Sequence, residues 1–193
     1  NEVVIEVHYS SLNYKDALSA SGNRGVTKRY PHTPGIDCSG IVFSSQSPQF
    51  SPGEKVIVTG FDLGMNTSGG FGQFVQVPAE WVIPLPVHLD LKRAMSYGTA
   101  GFTAAQCVDK IVTTIKPTDG TILITGVTGG VGCISAAILH KLGYVVAGVT
   151  GKPDSSLLSQ IGVQTVLPRI DVEISTQKAL LRERWAGVID TVG

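Results

Sequence analysis

Apolar residues follow one pattern over roughly the first 90 residues of the chain and a different pattern afterwards. In the first part, short runs alternate apolar and polar positions, which is typical of strands with one buried face. Turns rich in glycine, proline and serine separate these runs, as at Ser51-Pro52-Gly53-Glu54. We therefore predict a small, mostly β domain with one helix at Tyr14–Ser21. Its predicted strands are Val3–Val7, Ser39–Phe43, Lys55–Thr59, Phe74–Val77 and Trp81–Pro84.

From about residue 91, longer helical periods alternate with short apolar runs, which is the pattern of βαβ units. The predicted strands are Thr121–Thr125, Val145–Val149, Thr165–Leu167 and Val188–Val192. The predicted helices are Leu91–Val112, Val131–Leu142, Asp154–Ile161 and Ile174–Arg184. Strands joined by helical crossovers form a parallel sheet whose faces the helices cover. We thus predict an α/β fold, with a Rossmann-type parallel sheet over residues 91–193 preceded by a mostly β domain over residues 1–90.

Composition and charge exclude several classes of protein. Hydrophobic residues make up 42% of the 193 residues and charged residues 16%, so a packed core is expected. Fifteen basic residues balance 15 acidic ones, which gives no electrostatic attraction for nucleic acid, and no apolar run reaches the ~20 residues of a membrane span. The cysteines, Cys38, Cys107 and Cys133, are odd in number and far apart, which favours free thiols and a cytoplasmic location.

The main candidate site is the glycine-rich segment Thr125–Gly132, which lies between a predicted apolar strand and a predicted helix. A helix N-terminus binds phosphate because its first N–H groups are unpaired and carry about half a positive charge. Glycines let the backbone approach a diphosphate, and Gly132 lets the helix pack closely on the sheet. The turn is a variant, since the strict G-x-G-x-x-G pattern places glycine where Val127 stands. The residues expected to contact the diphosphate are Thr128, Gly129, Gly130 and Val131.

The end of the second predicted strand indicates which dinucleotide is bound. An enzyme that prefers NAD holds a carboxylate there, against the ribose hydroxyls. This chain has Thr150, Gly151 and Lys152 at that point, and a hydroxyl and a cation can bind the 2′-phosphate that a carboxylate would repel. Arg169, just after the third strand, can flank the same phosphate. We therefore predict NADPH as the cofactor, with a hydrogen bond to the charged phosphate contributing roughly 1.5–3 kcal/mol.

Several motifs occur in the order found in one enzyme superfamily. They are Ser11-Leu12-Asn13-Tyr14-Lys15-Asp16, His32-Thr33-Pro34-Gly35-Ile36-Asp37, Gly98-Thr99-Ala100-Gly101-Phe102-Thr103-Ala104 and the glycine turn. Together they resemble the medium-chain dehydrogenase/reductase superfamily. The chain is most similar to the acryloyl-CoA reductase branch of its quinone-oxidoreductase-like enzymes, through Tyr14-Lys15-Asp16, His140-Lys141-Leu142-Gly143-Tyr144 and Val166-Leu167-Pro168-Arg169.

The resemblance implies a GroES-like catalytic domain over residues 1–90, incomplete at its N-terminus, and an NADPH-binding Rossmann domain over residues 91–193, truncated at its C-terminus. Zinc-dependent members carry Gly-His-Glu where this chain has Gly35-Ile36-Asp37, so no zinc is expected. The family also implies a homodimer for the complete protein. The fragment by itself is expected to be inactive.

The implied reaction is hydride transfer from NADPH to the β-carbon of an α,β-unsaturated acyl-CoA, converting acryloyl-CoA to propionyl-CoA. By the same resemblance Tyr14 is the catalytic candidate and also contacts the cofactor, with a packing tyrosine as the alternative. Thr99 is expected to touch the nicotinamide, or otherwise to cap a helix. Lys15 and Asp16 are expected to form a structural charge pair.

Three alternatives stay open or are weakened by the sequence. A quinone or enone reductase with the same cofactor and fold stays open as an alternative, and so does a non-catalytic NADPH-binding fragment. The short-chain dehydrogenase class also uses a T-G-x-x-x-G-x-G turn. That class carries the turn near its N-terminus, with a Tyr-x-x-x-Lys pair after it, and this chain has neither feature.

Overall fold

The computed structural model describes residues 1–152, 156–172 and 183–193. The chain divides into two compact units, Asn1–Thr99 and Ala100–Gly193, and each is described by itself. In the described part of the chain, no helix has the length and apolar character that crossing a membrane requires.

The first unit is built on a five-stranded antiparallel sheet in the order β4-β1-β2-β3-β5. Its strands are β1 (Glu2–Tyr9), β2 (Asp37–Ser45), β3 (Lys55–Thr59), β4 (Phe74–Pro78) and β5 (Ile83–Pro84). One helix, α1 (Tyr14–Ala20), follows β1. The predicted mostly β domain with a single early helix is therefore confirmed for this unit.

The alternation that predicted these strands also forms the core of the first unit. Val3 and Ile5 of β1 face inward together with Val56 and Val58 of β3, and all four are fully buried. Val77 of β4 joins them with no exposed surface. One face of the sheet is thus the apolar face, as period-two patterning requires.

The predicted strand at Trp81–Pro84 is wrong in its first half. Ala79–Trp81 forms a 3₁₀ turn, and the N–H of Val82 donates to the carbonyl of Ala79 at 3.1 Å. Only Ile83–Pro84 pairs with β3. The tight turn uses backbone groups that a longer strand would have offered to its neighbour.

The second unit contains a four-stranded parallel sheet in the order β8-β7-β6-β9. Its strands are β6 (Ile122–Thr125), β7 (Val146–Val149), β8 (Thr165–Leu167) and β9 (Gly187–Ile189). The described helices are α2 (Leu91–Thr114, which begins in the first unit), α3 (Gly130–Lys141) and α4 (Ser156–Gln160). This order places the first strand beside the second and the fourth, which is the arrangement of a Rossmann-type half-sheet and confirms the predicted fold class.

Of three predicted features in the second unit, one differs from the structure and two lie wholly or mostly outside the described residues. The strand predicted at Val188–Val192 is wrong at its end, because the N–H of Thr191 donates to Oγ1 of Thr125 at 2.9 Å and leaves the strand ladder. The cap predicted at Asp154 lies outside the described residues. So does nearly all of the helix predicted at Ile174–Arg184.

Helix α2 is interrupted where the sequence predicts one continuous helix. Gly98 has φ 50° and ψ −153°, far from helical values, so two helical segments meet at this glycine. Positive φ is inexpensive only for glycine, which explains the residue type at the break. Gly98 lies against the side chains of Asp37 and Ser11, which explains the break.

A glycine in β2 explains how closely two strands of the first sheet approach each other. A Cβ added to Gly40 would lie 2.0 Å from the carbonyl oxygen of Glu6 in β1. No side chain fits there, so the register between β1 and β2 depends on glycine at this position.

Gly40→Ala is expected to lower the free energy of unfolding by about 2 kcal/mol or more, because the added methyl must push β1 and β2 apart. Gly72→Ala is the matched control, since the nearest heavy atom to its added Cβ is 3.5 Å away. It should change stability by less than about 0.5 kcal/mol. Urea unfolding of both variants measures the difference, and equal stabilities would contradict the prediction.

Candidate functional site

The glycine turn lies between β6 and α3, as the sequence predicts. Gly126 has φ 58°, and the N–H of Gly129 donates to its carbonyl at 2.8 Å, which closes the turn. Gly129 is the N-cap of α3, with φ −82° and ψ 169°. The chain thus leaves the carboxyl end of a buried parallel strand and enters a helix within four residues.

Two further glycines let this turn pack tightly. A Cβ on Gly132 would lie 2.4 Å from the carbonyl oxygen of Gly126, so the first turn of α3 rests directly on the backbone of the loop. Val127, which replaces a glycine of the strict pattern, is fully buried. A Cβ on Gly148 in β7 would lie 2.6 Å from Cγ1 of Val127. The side chain of Val127 therefore occupies space that Gly148 leaves open, which explains how the variant turn keeps its shape.

The start of α3 presents unpaired donors. The first bond into the helix runs from the N–H of Cys133 to the carbonyl of Gly129 at 2.9 Å. In the part of the chain that the structure describes, the N–H groups of Gly130, Val131 and Gly132 have no acceptor, as the helix geometry requires. Gly129 and Gly130 are exposed to solvent. An anion can therefore reach these donors without displacing a side chain.

Thr150 follows β7 and is held in place by several hydrogen bonds. Its Oγ1 accepts the N–H of Lys152 at 3.0 Å and lies 3.0 Å from Oγ1 of Thr128 in the glycine turn. Its own N–H donates to the carbonyl of Leu167 at 3.2 Å. Only 4% of Thr150 is exposed. The hydroxyl therefore links the glycine turn to the loop that carries Lys152.

Two cationic residues lie near this loop. Lys152 is exposed, and a Cβ added to the neighbouring Gly151 would lie 3.9–4.0 Å from three atoms of the Arg169 guanidinium. The guanidinium of Arg169 therefore lies close to residue 151. Among residues 1–152, 156–172 and 183–193, neither cation forms an ion pair with a carboxylate. Both charges are available to an external phosphate.

Tyr14 is the first residue of α1, and 79% of it is exposed. The helix start is held by Asp16, whose Oδ2 accepts the N–H of Asn13 at 2.8 Å. Oδ1 of Asp16 accepts the N–H groups of Gly35 and Ile36 at 3.1 and 2.9 Å. The expected Lys15–Asp16 charge pair is therefore wrong, because backbone amides occupy the buried carboxylate.

The sequence analysis missed Asp37, which begins β2 and is fully buried. Its Oδ2 accepts the N–H of Thr99 at 2.9 Å, and its Oδ1 accepts the Thr99 hydroxyl at 2.6 Å. Oδ2 also accepts hydrogen bonds from Oγ of Ser11 at 2.5 Å and from Nδ2 of Asn13 at 2.9 Å. An acidic residue amid apolar positions of a strand is the sequence signal that could have identified it.

Metal-ligating side chains do not converge in the described residues. No three of the His, Cys, Asp and Glu side chains there are arranged as a metal site requires. Burial, followed by the neighbouring charge of Asp37, raises the pKa of the Cys38 thiol to about 12. Cys38 therefore stays a thiol at neutral pH, whereas metal ligation uses the thiolate.

Residues 1–87 match the family of the alcohol dehydrogenase GroES-like domain. The chain is 44% identical to "Putative quinone oxidoreductase YhfP" of Bacillus subtilis, over 99% of this chain and 58% of that protein. It is 42% identical to "Acrylyl-CoA reductase AcuI" of Ruegeria pomeroyi, over 100% of this chain and 59% of that protein. The chain thus spans about three-fifths of the length of these relatives.

Solved structures of such relatives have the same fold. The YhdH oxidoreductase of Salmonella enterica, in complex with NADP, superposes with a TM-score of 0.93 at 42% identity. The superposition includes 100% of this chain and 59% of the Salmonella protein. The Bacillus subtilis protein YhfP with NAD bound has a TM-score of 0.90 at 44% identity, over 99% of this chain and 59% of that one.

Two substitutions in the glycine turn should separate packing from binding. Gly132→Ala places a methyl 2.4 Å from the carbonyl oxygen of Gly126 and should lower the free energy of unfolding by about 2 kcal/mol. Gly129→Ala has an allowed backbone conformation and only one contact, at 3.2 Å to the same oxygen. It should keep its stability yet weaken NADPH binding roughly tenfold or more, because its methyl covers the exposed amides. Urea unfolding and fluorescence titration measure the two effects, and an unchanged affinity in Gly129→Ala would place the diphosphate elsewhere.

Proposed function

We infer the function from one premise, that the chain belongs to the quinone-oxidoreductase-like branch of the medium-chain dehydrogenase/reductase superfamily. We propose that the complete protein is an NADPH-dependent reductase of electron-poor carbon–carbon double bonds, and that an α,β-unsaturated acyl-CoA, acryloyl-CoA first, is its substrate. The observation that carries the proposal is the group of unpaired amides at the start of α3, together with Lys152 after β7 and Arg169 after β8, neither of which pairs with a carboxylate among the described residues.

The glycine turn supports binding of the diphosphate. Gly129 and Gly130 are exposed, Val131 is half-buried, and the positive end of α3 favours an anion. Thr128 stands at the same turn, with its hydroxyl next to that of Thr150. These residues would hold the two phosphates that join the halves of the dinucleotide.

Lys152, Gly151 and Arg169 support a preference for NADPH. Gly151 lets the Arg169 guanidinium lie against the backbone, and Lys152 is placed by its N–H bond to Thr150. No carboxylate of the described residues pairs with either cation, so both can attract an extra phosphate. The related YhfP structure contains NAD, and the Salmonella relative contains NADP, so the choice between the two is a proposal for this chain.

When bound, the reduced nicotinamide supplies a hydride to the β-carbon of the acyl thioester, and the α-carbon takes a proton. The protein residues must orient the two reactants and exclude competing geometries. Tyr14 is suited to this role because its ring is exposed while its backbone is held at the capped start of α1. Thr99 is held on both its N–H and its hydroxyl by Asp37.

A quinone or enone is the second candidate substrate, because the relative with 44% identity carries the name of a quinone oxidoreductase. A fragment that binds NADPH without turnover is the remaining alternative. We also propose a cytoplasmic homodimer for the complete protein. The free state of all three cysteines supports a reducing compartment.

The complete protein should consume NADPH with acryloyl-CoA faster than with crotonyl-CoA or a simple quinone. One assay that follows NADPH absorbance with each acceptor measures the order, and repeating it with NADH measures the cofactor preference. The 193-residue chain alone should show no turnover. A quinone that outperforms both thioesters would transfer the proposal to the second candidate, and NADPH binding without any turnover would leave the non-catalytic alternative.

Lys152→Glu should shift the preference from NADPH towards NADH by roughly ten- to a hundred-fold, since a carboxylate repels the 2′-phosphate and accepts the ribose hydroxyls. The ratio of kcat/KM for the two cofactors measures this shift. Lys141→Glu is the control, because it is an exposed lysine at the far end of α3. An unchanged ratio in Lys152→Glu would mean that another part of the protein holds the phosphate.

A further inference from the structure

Asp37 is a fully buried carboxylate that accepts four hydrogen bonds, all from neutral donors. Burying a charge without a cation is costly, and it is tolerated only when hydrogen bonds replace the lost water. Within the described ranges, the carboxylate has no cationic partner. This costly burial indicates that the Asp37 carboxylate has a role besides stabilising the fold.

The backbone of the first unit is shaped around this carboxylate. A Cβ on Gly98 would lie 2.6 Å from Oδ2 of Asp37 and 2.7 Å from Oγ of Ser11. The break in α2 therefore brings the chain against the carboxylate, at a residue whose φ of 50° favours glycine. The next residue, Thr99, then donates both its N–H and its hydroxyl. The carboxylate thus acts as an N-terminal cap for the second helical segment of α2.

The same carboxylate holds the loop that leads to Tyr14. Nδ2 of Asn13, the N-cap of α1, donates to Oδ2 of Asp37 at 2.9 Å, and also to Oγ of Ser11 at 3.1 Å. Tyr14 follows Asn13 directly and is 79% exposed at the first position of α1. Its backbone position is therefore set by Asn13, and through Asn13 by Asp37.

We propose that Asp37 is a positioning residue for the reductase: its buried carboxylate fixes Thr99 and the Ser11–Asn13 loop, and through that loop Tyr14, in the arrangement that hydride transfer requires. The proposal rests on the proposed function, because it takes Tyr14 and Thr99 as residues of the reaction site. It assigns Asp37 no contact with substrate or cofactor. Asp37 affects the orientation of Tyr14 and Thr99. Its loss should therefore reduce kcat more than it reduces the affinity for NADPH.

The test is Asp37→Asn in the complete protein. An asparagine has nearly the same size, but its amide nitrogen donates where a carboxylate oxygen accepted, and Oδ1 of Asp37 accepts one hydrogen bond while Oδ2 accepts three. We expect kcat with acryloyl-CoA and NADPH to fall about 10- to 100-fold, because a displacement of about 1 Å in a reacting group has effects of this order. The dissociation constant of NADPH, measured by fluorescence titration, should change by less than about threefold, since its phosphates are proposed to bind at residues 128–152.

Ser39→Ala is the matched control for a purely structural effect. Ser39 lies in the same strand, is fully buried, and donates to the carbonyl of Leu91 at the start of α2 at 2.8 Å. Its loss should lower the melting temperature without changing kcat. A fall of kcat in Ser39→Ala as large as in Asp37→Asn would show that any loss of packing in β2 impairs turnover, and would overturn the proposal.

The remaining outcomes are also decisive. An unchanged kcat in a folded Asp37→Asn protein, or a loss confined to NADPH affinity, overturns the proposal while the reductase function stands. Should Asp37→Asn fail to fold, Ser11→Ala decides by the same two measurements. It removes one donor to Oδ2 and should lower kcat about threefold or more at constant NADPH affinity. A wild-type protein without NADPH-dependent turnover contradicts the proposed function, and this inference with it.

Discussion

The contact between the backbone of the glycine turn and the start of α3 is the constraint on which the second unit depends. Gly132 lies so close to the carbonyl of Gly126 that even one methyl would separate the helix from the loop. The close approach leaves the first N–H groups of α3 unpaired at an exposed surface. Water can accept the hydrogen bonds of the exposed donors, and an anion that replaces this water is favoured by the positive end of the helix. Packing and binding are therefore two consequences of one arrangement of glycines.

The departure of the turn from the strict dinucleotide pattern has a structural explanation. Val127 stands where the pattern has glycine, and its side chain is fully buried. Gly148 in the neighbouring strand leaves the room that this side chain needs. A substitution in the loop is thus matched by a small residue in β7, and the donors of α3 keep their positions.

The first unit depends on a different feature, the buried carboxylate of Asp37, which accepts hydrogen bonds from neutral donors. Asp37 begins β2 and is fully buried. Here its oxygens are occupied by Thr99, Ser11 and Asn13. A polar group that satisfies all its bonds in this way fixes the geometry of the chain segments around it. The break in α2 at Gly98 is best understood as part of the same network.

The sequence by itself determined the fold class and the position of the glycine turn. Alternating apolar positions predicted β1 to β4, and the glycine-rich segment predicted a turn between an apolar strand and a helix, which the structure has at β6 and α3. Both signals are local in the chain, which is why they could be seen without coordinates. Only the tertiary structure decided which polar groups meet. The pairing of Asp16 with backbone amides rather than Lys15, the contact of Val127 with Gly148, and the network of Asp37 with Thr99 join residues up to 62 positions apart. Such contacts arise from the way strands and loops pack, and no periodicity within a single segment encodes them.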